Sequence, residues 1–142
     1  MCDYENPWIY NSKVFNSDNI LDNFGFVYNI TNLKNQRQYI GRKYFWQFRT
    51  PKGKKRKVKS ESDWKKYYGS CPELKDDVTK YGRESFSREI LSLHGSLGKV
   101  NFEETRQLFL HEVLSQKLTD DMPLYYNSNI LGRYYRKDYF NK

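Results

Sequence analysis

The 142-residue chain is long enough for one domain with a modest core and too short for two. Aromatic side chains make up 18% of it, within a hydrophobic share of 37%, so the chain can build a core and does not read as disordered. Its formal charge is +8, and no apolar run approaches the length of a membrane span.

Residues 1–22, rich in Asn, Asp and Ser, predict an irregular arm. Residues 24–30 alternate as a strand with Phe24, Phe26, Tyr28 and Ile30 on one face. Asn32 and Asn35 mark a turn, and residues 37–41 read as a second strand. Residues 50–60 hold Pro51, Gly53 and a Lys/Arg cluster, the pattern of a long exposed loop. A short helix is expected over 63–68, stopped by Gly69. Another is expected over 73–81, opened by Pro72 and stopped by Gly82. Residues 85–91 predict a third strand. The longest helical pattern runs from Asn101 to about Leu118, with Phe102, Phe109, Val113 and Leu114 on one side. Residues 123–142 are rich in Tyr and Asn and read as partly ordered. The expected class is α+β: a three-stranded antiparallel sheet, made of a hairpin plus a third strand, flanked by helices. The domain is expected over 23–130, with a C-terminal tail at 131–142.

The charge is concentrated. Residues 42–66 carry eleven basic and two acidic side chains, a net of +9, while the segments before and after sum to −1 and zero. Such a block is the footprint of a polyanion, with Arg49, Lys54, Lys55, Arg56, Lys57 and Lys65 as candidate phosphate contacts. Evenly scattered charge would serve solubility equally well. Cys2 and Cys71 make no disulfide framework, and with His94 and His111 they lack zinc-finger spacing. The acidic, polar start at Met1-Cys2-Asp3-Tyr4-Glu5 is unlike a secretory leader, so the expectation is a cytoplasmic protein without membrane contact.

A four-residue connection, residues 32–35, would make Thr31 oppose Gln36 and set Tyr28 directly opposite Tyr39. Two phenols would then converge on one patch, followed by Gly41, Arg42 and Lys43. Phenols beside cations can exchange protons with a nucleophile, and cations can stabilise a pentavalent phosphate. Cross-strand aromatic pairs are also ordinary sheet stabilisers, so spacing leaves both roles open.

At these residues the chain resembles the GIY-YIG nuclease family, and in particular its small phage-borne, homing-type members. Tyr39-Ile40-Gly41 matches the second motif element. Phe26-Val27-Tyr28 keeps the tyrosine of the first, with the glycine displaced to Gly25. Glu61-Ser62-Asp63-Trp64-Lys65-Lys66-Tyr67-Tyr68-Gly69-Ser70 and Tyr125-Tyr126-Asn127-Ser128-Asn129-Ile130 extend the likeness to about residues 24–130. The resemblance implies a GIY-YIG-like fold and a Mg²⁺- or Mn²⁺-dependent endonuclease acting on double-stranded DNA. It also implies tyrosines at Tyr28 and Tyr39 that help activate water, a metal-holding glutamate at Glu104, and an asparagine at Asn127. The family's catalytic arginine on the first helix has no counterpart here. Arg42 or Lys43 is the expected replacement, with Arg49 and Lys65 behind them. Glu103 remains an alternative to Glu104, and Asn101 with Glu104 also fits a helix capping box. A non-catalytic nucleic-acid-binding protein on the same fold is the alternative function; a protein-interaction module is a third.

Overall fold

A computed structural model of the chain describes residues 4–140. Cys2 and the first residues of the expected arm lie outside the described residues. Two short strands come first, β1 (Ile9–Tyr10) and β2 (Lys13–Val14). The long hairpin follows, β3 (Gly25–Asn32) and β4 (Gln38–Tyr44), and then a separate two-stranded ribbon, β5 (Trp46–Arg49) and β6 (Val58–Glu61). Helix α1 (Pro72–Tyr81), strand β7 (Phe86–His94) and helix α2 (Leu97–Leu110) complete the main elements.

The main sheet has five strands in the order β2-β1-β7-β3-β4. The expected three-stranded antiparallel sheet is thus corrected. β3 runs antiparallel to its neighbours β7 and β4, but β1 adds alongside β7 in parallel and brings β2 with it. Strands of two residues carry no alternation, so no periodicity marks them. The arm is held by anchors: Trp8, Phe15 and Ile20 are buried, and the Trp8 indole N–H donates to the Trp64 carbonyl at 2.7 Å.

Both faces of the sheet are covered. One face packs Phe26, Tyr28, Ile30, Phe86 and Ile90 against Trp8, Trp64 and Leu74. The other packs Val27 and Ile40 against Val100 and Leu108 of α2. Central strand β3 is therefore buried almost throughout, because a strand between two cores has no solvent side. A bulge shifts the β3–β7 register between Val27 and Tyr28, so Leu93 can join Phe86, Arg88 and Ile90 toward the first core.

Several boundaries differ from expectation. Residues 64–66 form only a 3₁₀ turn, since Gly69 follows too soon for a full helix. The basic loop expected over 50–60 is shorter: residues 50–57 form the tip of the β5–β6 ribbon, and 58–60 belong to β6, in a ladder that runs from Trp46–Glu61 to Arg49–Val58. Helix α2 begins a turn earlier than Asn101, because Ser96 caps it by accepting the Lys99 N–H at 3.2 Å. It ends at Leu110, where Glu112 turns to φ 50°. Phe102 and Phe109 are consequently exposed, and Val100 and Leu108 form the buried stripe. Tyr125, Tyr126, Asn127 and Ile130, close to the expected tail, are buried.

Candidate active site

The hairpin turns one residue later than expected. Its connection is residues 33–36, closed by the Asn32 N–H donating to the Arg37 carbonyl at 2.8 Å. The Asn32 side chain accepts from the Lys34 N–H and the Asn35 side chain from the Arg37 N–H, each at 2.9 Å, while Gln36 takes φ 68°. A one-residue slip of the loop moves the register by two. Tyr28 therefore opposes Gly41, and Tyr39 opposes Ile30. The direct Tyr28–Tyr39 pairing is corrected, yet both rings stay on one face, diagonal to each other with centroids 6.2 Å apart.

Gly41 is what permits this. A Cβ there would collide with the Tyr28 hydroxyl, lie 2.6 Å from its Cζ and approach the Tyr39 ring to 3.0 Å. Gly69, at φ 88°, brings the 67–70 loop against the same two phenols. From that loop the Tyr67 ring stands edge-on to Tyr28, centroids 6.1 Å apart, and Ser70 lines the same cleft as Tyr39. Burial pushes the Tyr28 hydroxyl well above its ordinary range and the Tyr39 hydroxyl to about 12. Both phenols are neutral at physiological pH.

Arg42 and Tyr44 leave β4 on the opposite face and meet α2. Arg42 Nη1 lies 3.3 Å from Glu104 Oε1, and the Tyr44 hydroxyl donates to Asn101 Oδ1 at 2.6 Å. Alternate residues of the strand thus meet residues one turn apart on the helix. Asn101 is spent on Tyr44 within the helix, so the capping box with Glu104 does not form. Burial raises the Glu104 carboxyl, and Arg42 opposes the rise. Glu103 is different: Arg106 grips it at 2.7 and 2.8 Å, Gln107 donates to it at 2.7 Å, and its carboxyl drops to about 2. The Glu103 charge is already taken by its own helix.

The two groups meet around the edge of β4. Gln38 pairs with Leu124 and Tyr126 through backbone bonds of 2.9 and 2.7 Å. The Asn127 amide then clasps Ile40, accepting from its N–H at 3.1 Å and donating to its carbonyl at 2.8 Å. The next peptide groups facing that edge belong to Arg42, where the cover stops. There a cleft of about 460 Å³ opens, lined by Tyr39, Arg42, Ser70, Cys71, Glu104 and Asn127. A neighbouring hollow of about 420 Å³ shares Arg42 and adds Lys43, Gln47, Arg49, Asp63 and Tyr67. Lys43 is engaged, 2.6 Å from Asp63 and 4.1 Å from the centre of the Tyr67 ring.

The fold therefore brings Tyr39, Arg42, Glu104 and Asn127 to one cleft, with Tyr28 buried against Tyr39 and with Lys43 and Arg49 in the adjoining hollow. Lys54, Lys55, Arg56 and Lys57 stand exposed at the ribbon tip. Lys65 does not join them; it lines another hollow with Tyr4, Glu5 and Arg83. Tyr67 and Ser70 lie in a stretch that carries the family likeness, but spacing gave neither of them a role. Among the described residues no three carboxylate, imidazole or thiol groups cluster, and Glu104 is the one carboxylate lining this cleft, so a cation here would take one protein carboxylate. Glu104 suits that position: it is mostly buried, faces the cleft, and only its Oε1 is paired. Single-carboxylate ligation fits Mg²⁺, which retains water and borrows phosphate oxygens.

A protein-family model described as "Putative endonuclease segE, GIY-YIG domain" matches residues 8–130. No curated protein and no solved structure matches the chain.

Proposed function

Since the chain belongs to the GIY-YIG endonuclease family, we propose that it is a divalent-metal-dependent DNA endonuclease that hydrolyses phosphodiester bonds of duplex DNA. The observation that carries this reading is the convergence of Tyr39, Arg42 and Glu104 on one cleft at the open edge of β4, with Tyr28 buried against the Tyr39 ring.

In this reading Glu104 holds Mg²⁺ or Mn²⁺, which when bound supplies positive charge at the departing 3′ oxygen. Tyr39, neutral and beside Ser70, accepts a hydrogen bond from the attacking water and orients it; as the water oxygen bonds phosphorus and the bond to the 3′ oxygen breaks, the water's proton passes through solvent in the cleft to the departing oxygen. Tyr28 holds the neighbouring phenol in place and links it to Tyr67. Arg42 faces both hollows and takes the role of the family's helix arginine, countering charge on the pentavalent phosphate. Lys43, paired with Asp63, adds to the local field and supports Tyr67. Asn127 fixes the Ile40 peptide and thereby the position of Arg42. Arg49 meets the DNA beside Arg42, and the ribbon-tip cations take backbone phosphates.

Incubation with supercoiled plasmid tests the reading. Nicking or linearisation with Mg²⁺ or Mn²⁺, and none with chelator, is the expected result. Salt-sensitive DNA binding without any cleavage in either metal would instead identify a non-catalytic DNA-binding protein on this fold.

A further inference from the structure

The β5–β6 ribbon interrupts the chain between β4 and α1, and its two faces differ. The ladder pairs Trp46 with Glu61, Gln47 with Ser60, Phe48 with Lys59, and Arg49 with Val58. Directly opposed residues share a face and neighbours alternate. One face therefore carries Trp46, Phe48, Lys59 and Glu61. Trp46 packs on the core there, and the Lys59 ammonium sits 4.4 Å from its ring centre, which stiffens the ribbon from behind. The other face carries Gln47, Arg49, Val58 and Ser60. The Gln47 amide touches Ser60 Oγ at 3.3 Å, and Val58 is half exposed. The Arg49 guanidinium has no hydrogen bond or ion pair among the described residues, and its charge acts at longer range on Asp63. Gln47 and Arg49 line the same hollow as Arg42, so this face opens directly beside the cleavage centre.

We propose that this ribbon enters the major groove of duplex DNA and reads base edges next to the scissile phosphate through Gln47, Arg49, Val58 and Ser60. The inference rests on the nuclease reading above and adds to it a source of sequence preference. The chemistry of the face supports it. Arg forms a fork onto guanine, an amide such as Gln pairs bidentately with adenine, an apolar side chain meets the thymine methyl, and Ser suits either a donor or an acceptor. Dimensions agree as well. Four ladder pairs plus half the connecting loop reach about 25 Å. A groove about 12 Å wide and 8.5 Å deep admits such a ribbon. The tip cations, Lys54, Lys55, Arg56 and Lys57, then lie where phosphates border the groove, and they position the ribbon without reading sequence.

The test sequences a pool of randomised duplexes after selection by wild type, Gln47→Ala and Arg49→Lys. One arm selects by binding in chelator, the other by cleavage with Mg²⁺. Wild type should show a base preference of about 10- to 100-fold at two or more positions. Arg49→Lys keeps the charge and loses the fork, so preference at one position should flatten while the salt dependence of binding stays. Gln47→Ala should flatten a different position. A wild-type profile without base preference, or variants that keep the wild-type profile, overturns the ribbon's role. Preferences in the binding arm with no cleavage in the other would sink the nuclease reading and leave the ribbon's role standing.

Discussion

The Arg42 guanidinium and the Glu104 carboxylate, 3.3 Å apart, join edge strand β4 to helix α2 at the mouth of the cleft. Each is the other's only ion-pair partner among the described residues, although each faces a different demand in the proposed chemistry. Glu104 would hold a cation and Arg42 a phosphate, so the pair keeps both charges in place while the cleft is empty of substrate.

Replacement of Glu104 by Ala should abolish cleavage and leave DNA affinity unchanged or higher, because a carboxylate is removed from a phosphate-facing cleft. Glu103→Ala should retain cleavage, since Glu103 is engaged with Arg106 and Gln107. Plasmid cleavage and binding isotherms on both variants decide the matter. Full activity in Glu104→Ala with loss in Glu103→Ala would move the ligand by one position.

The tyrosines and Gly41 act as one packed unit. Tyr28→Phe and Tyr39→Phe keep the rings and should fold, and at least one should cut the single-turnover rate on the order of 10²-fold. Gly41→Ala should displace the Tyr28 ring, with a similar loss of rate and a stability cost of about 1–3 kcal/mol from overpacking. Gly98→Ala is the control: its site is open and helical, so up to about 1 kcal/mol of stabilisation is expected. Wild-type rates in both phenylalanine variants would return the pair to sheet packing alone.

The proton affinity of Glu104 gives a prediction for the metal-free protein. Its carboxyl lies above the ordinary 4.5 because burial outweighs the pull of Arg42. The folded state thus binds this proton more tightly than the unfolded chain. Its contribution to stability is full below pH 4.5 and is lost as pH rises through the raised value. Arg42→Gln removes the opposing charge, so Glu104 should titrate higher still and the loss should extend to higher pH. Carboxyl NMR titration in chelator, assigned with Glu104→Gln, measures this. An unchanged or lower Glu104 titration in Arg42→Gln would mean that the pair does not form in solution.

What the sequence reveals here follows from the range of each interaction. Tyr28, Tyr39 and Gly41 lie on one hairpin, so local alternation and turn chemistry place them together even with the loop off by one residue. Glu104 is reached through the family pattern, although the helix that carries it starts a turn earlier. The mixed sheet is not legible, because β1 has two residues and Trp8, Phe15 and Ile20 follow no period. Arg88 is the clearest loss. In sequence it reads as one more strand cation, but the fold buries it over the Trp8 and Tyr68 rings. Its guanidinium donates to the carbonyls of Glu5, Asn6, Lys65 and Tyr67. These contacts tie the arm to the loop that carries Tyr67, and every one of them is long-range.

The ribbon tip can be separated from the chemistry. Lys54, Lys55, Arg56 and Lys57 are exposed between Gly53 and the β6 strand, outside both hollows that flank Arg42. A mobile cation in such a loop can follow a phosphate backbone, but it cannot hold a reacting group to sub-ångström precision. Replacing all four with Ser or Gln should weaken binding to every DNA sequence alike. At a slope of about −0.9 per phosphate contact, the loss of up to four contacts should flatten the salt dependence by about 3–4. Turnover at saturating DNA should largely persist, because Tyr28, Tyr39, Arg42 and Glu104 stay in place around the β4 edge. Binding isotherms across a salt series, paired with single-turnover cleavage at saturation, read the two quantities separately. An unchanged slope would move the DNA path off the ribbon, whereas lost turnover at saturation would make the tip part of the active site.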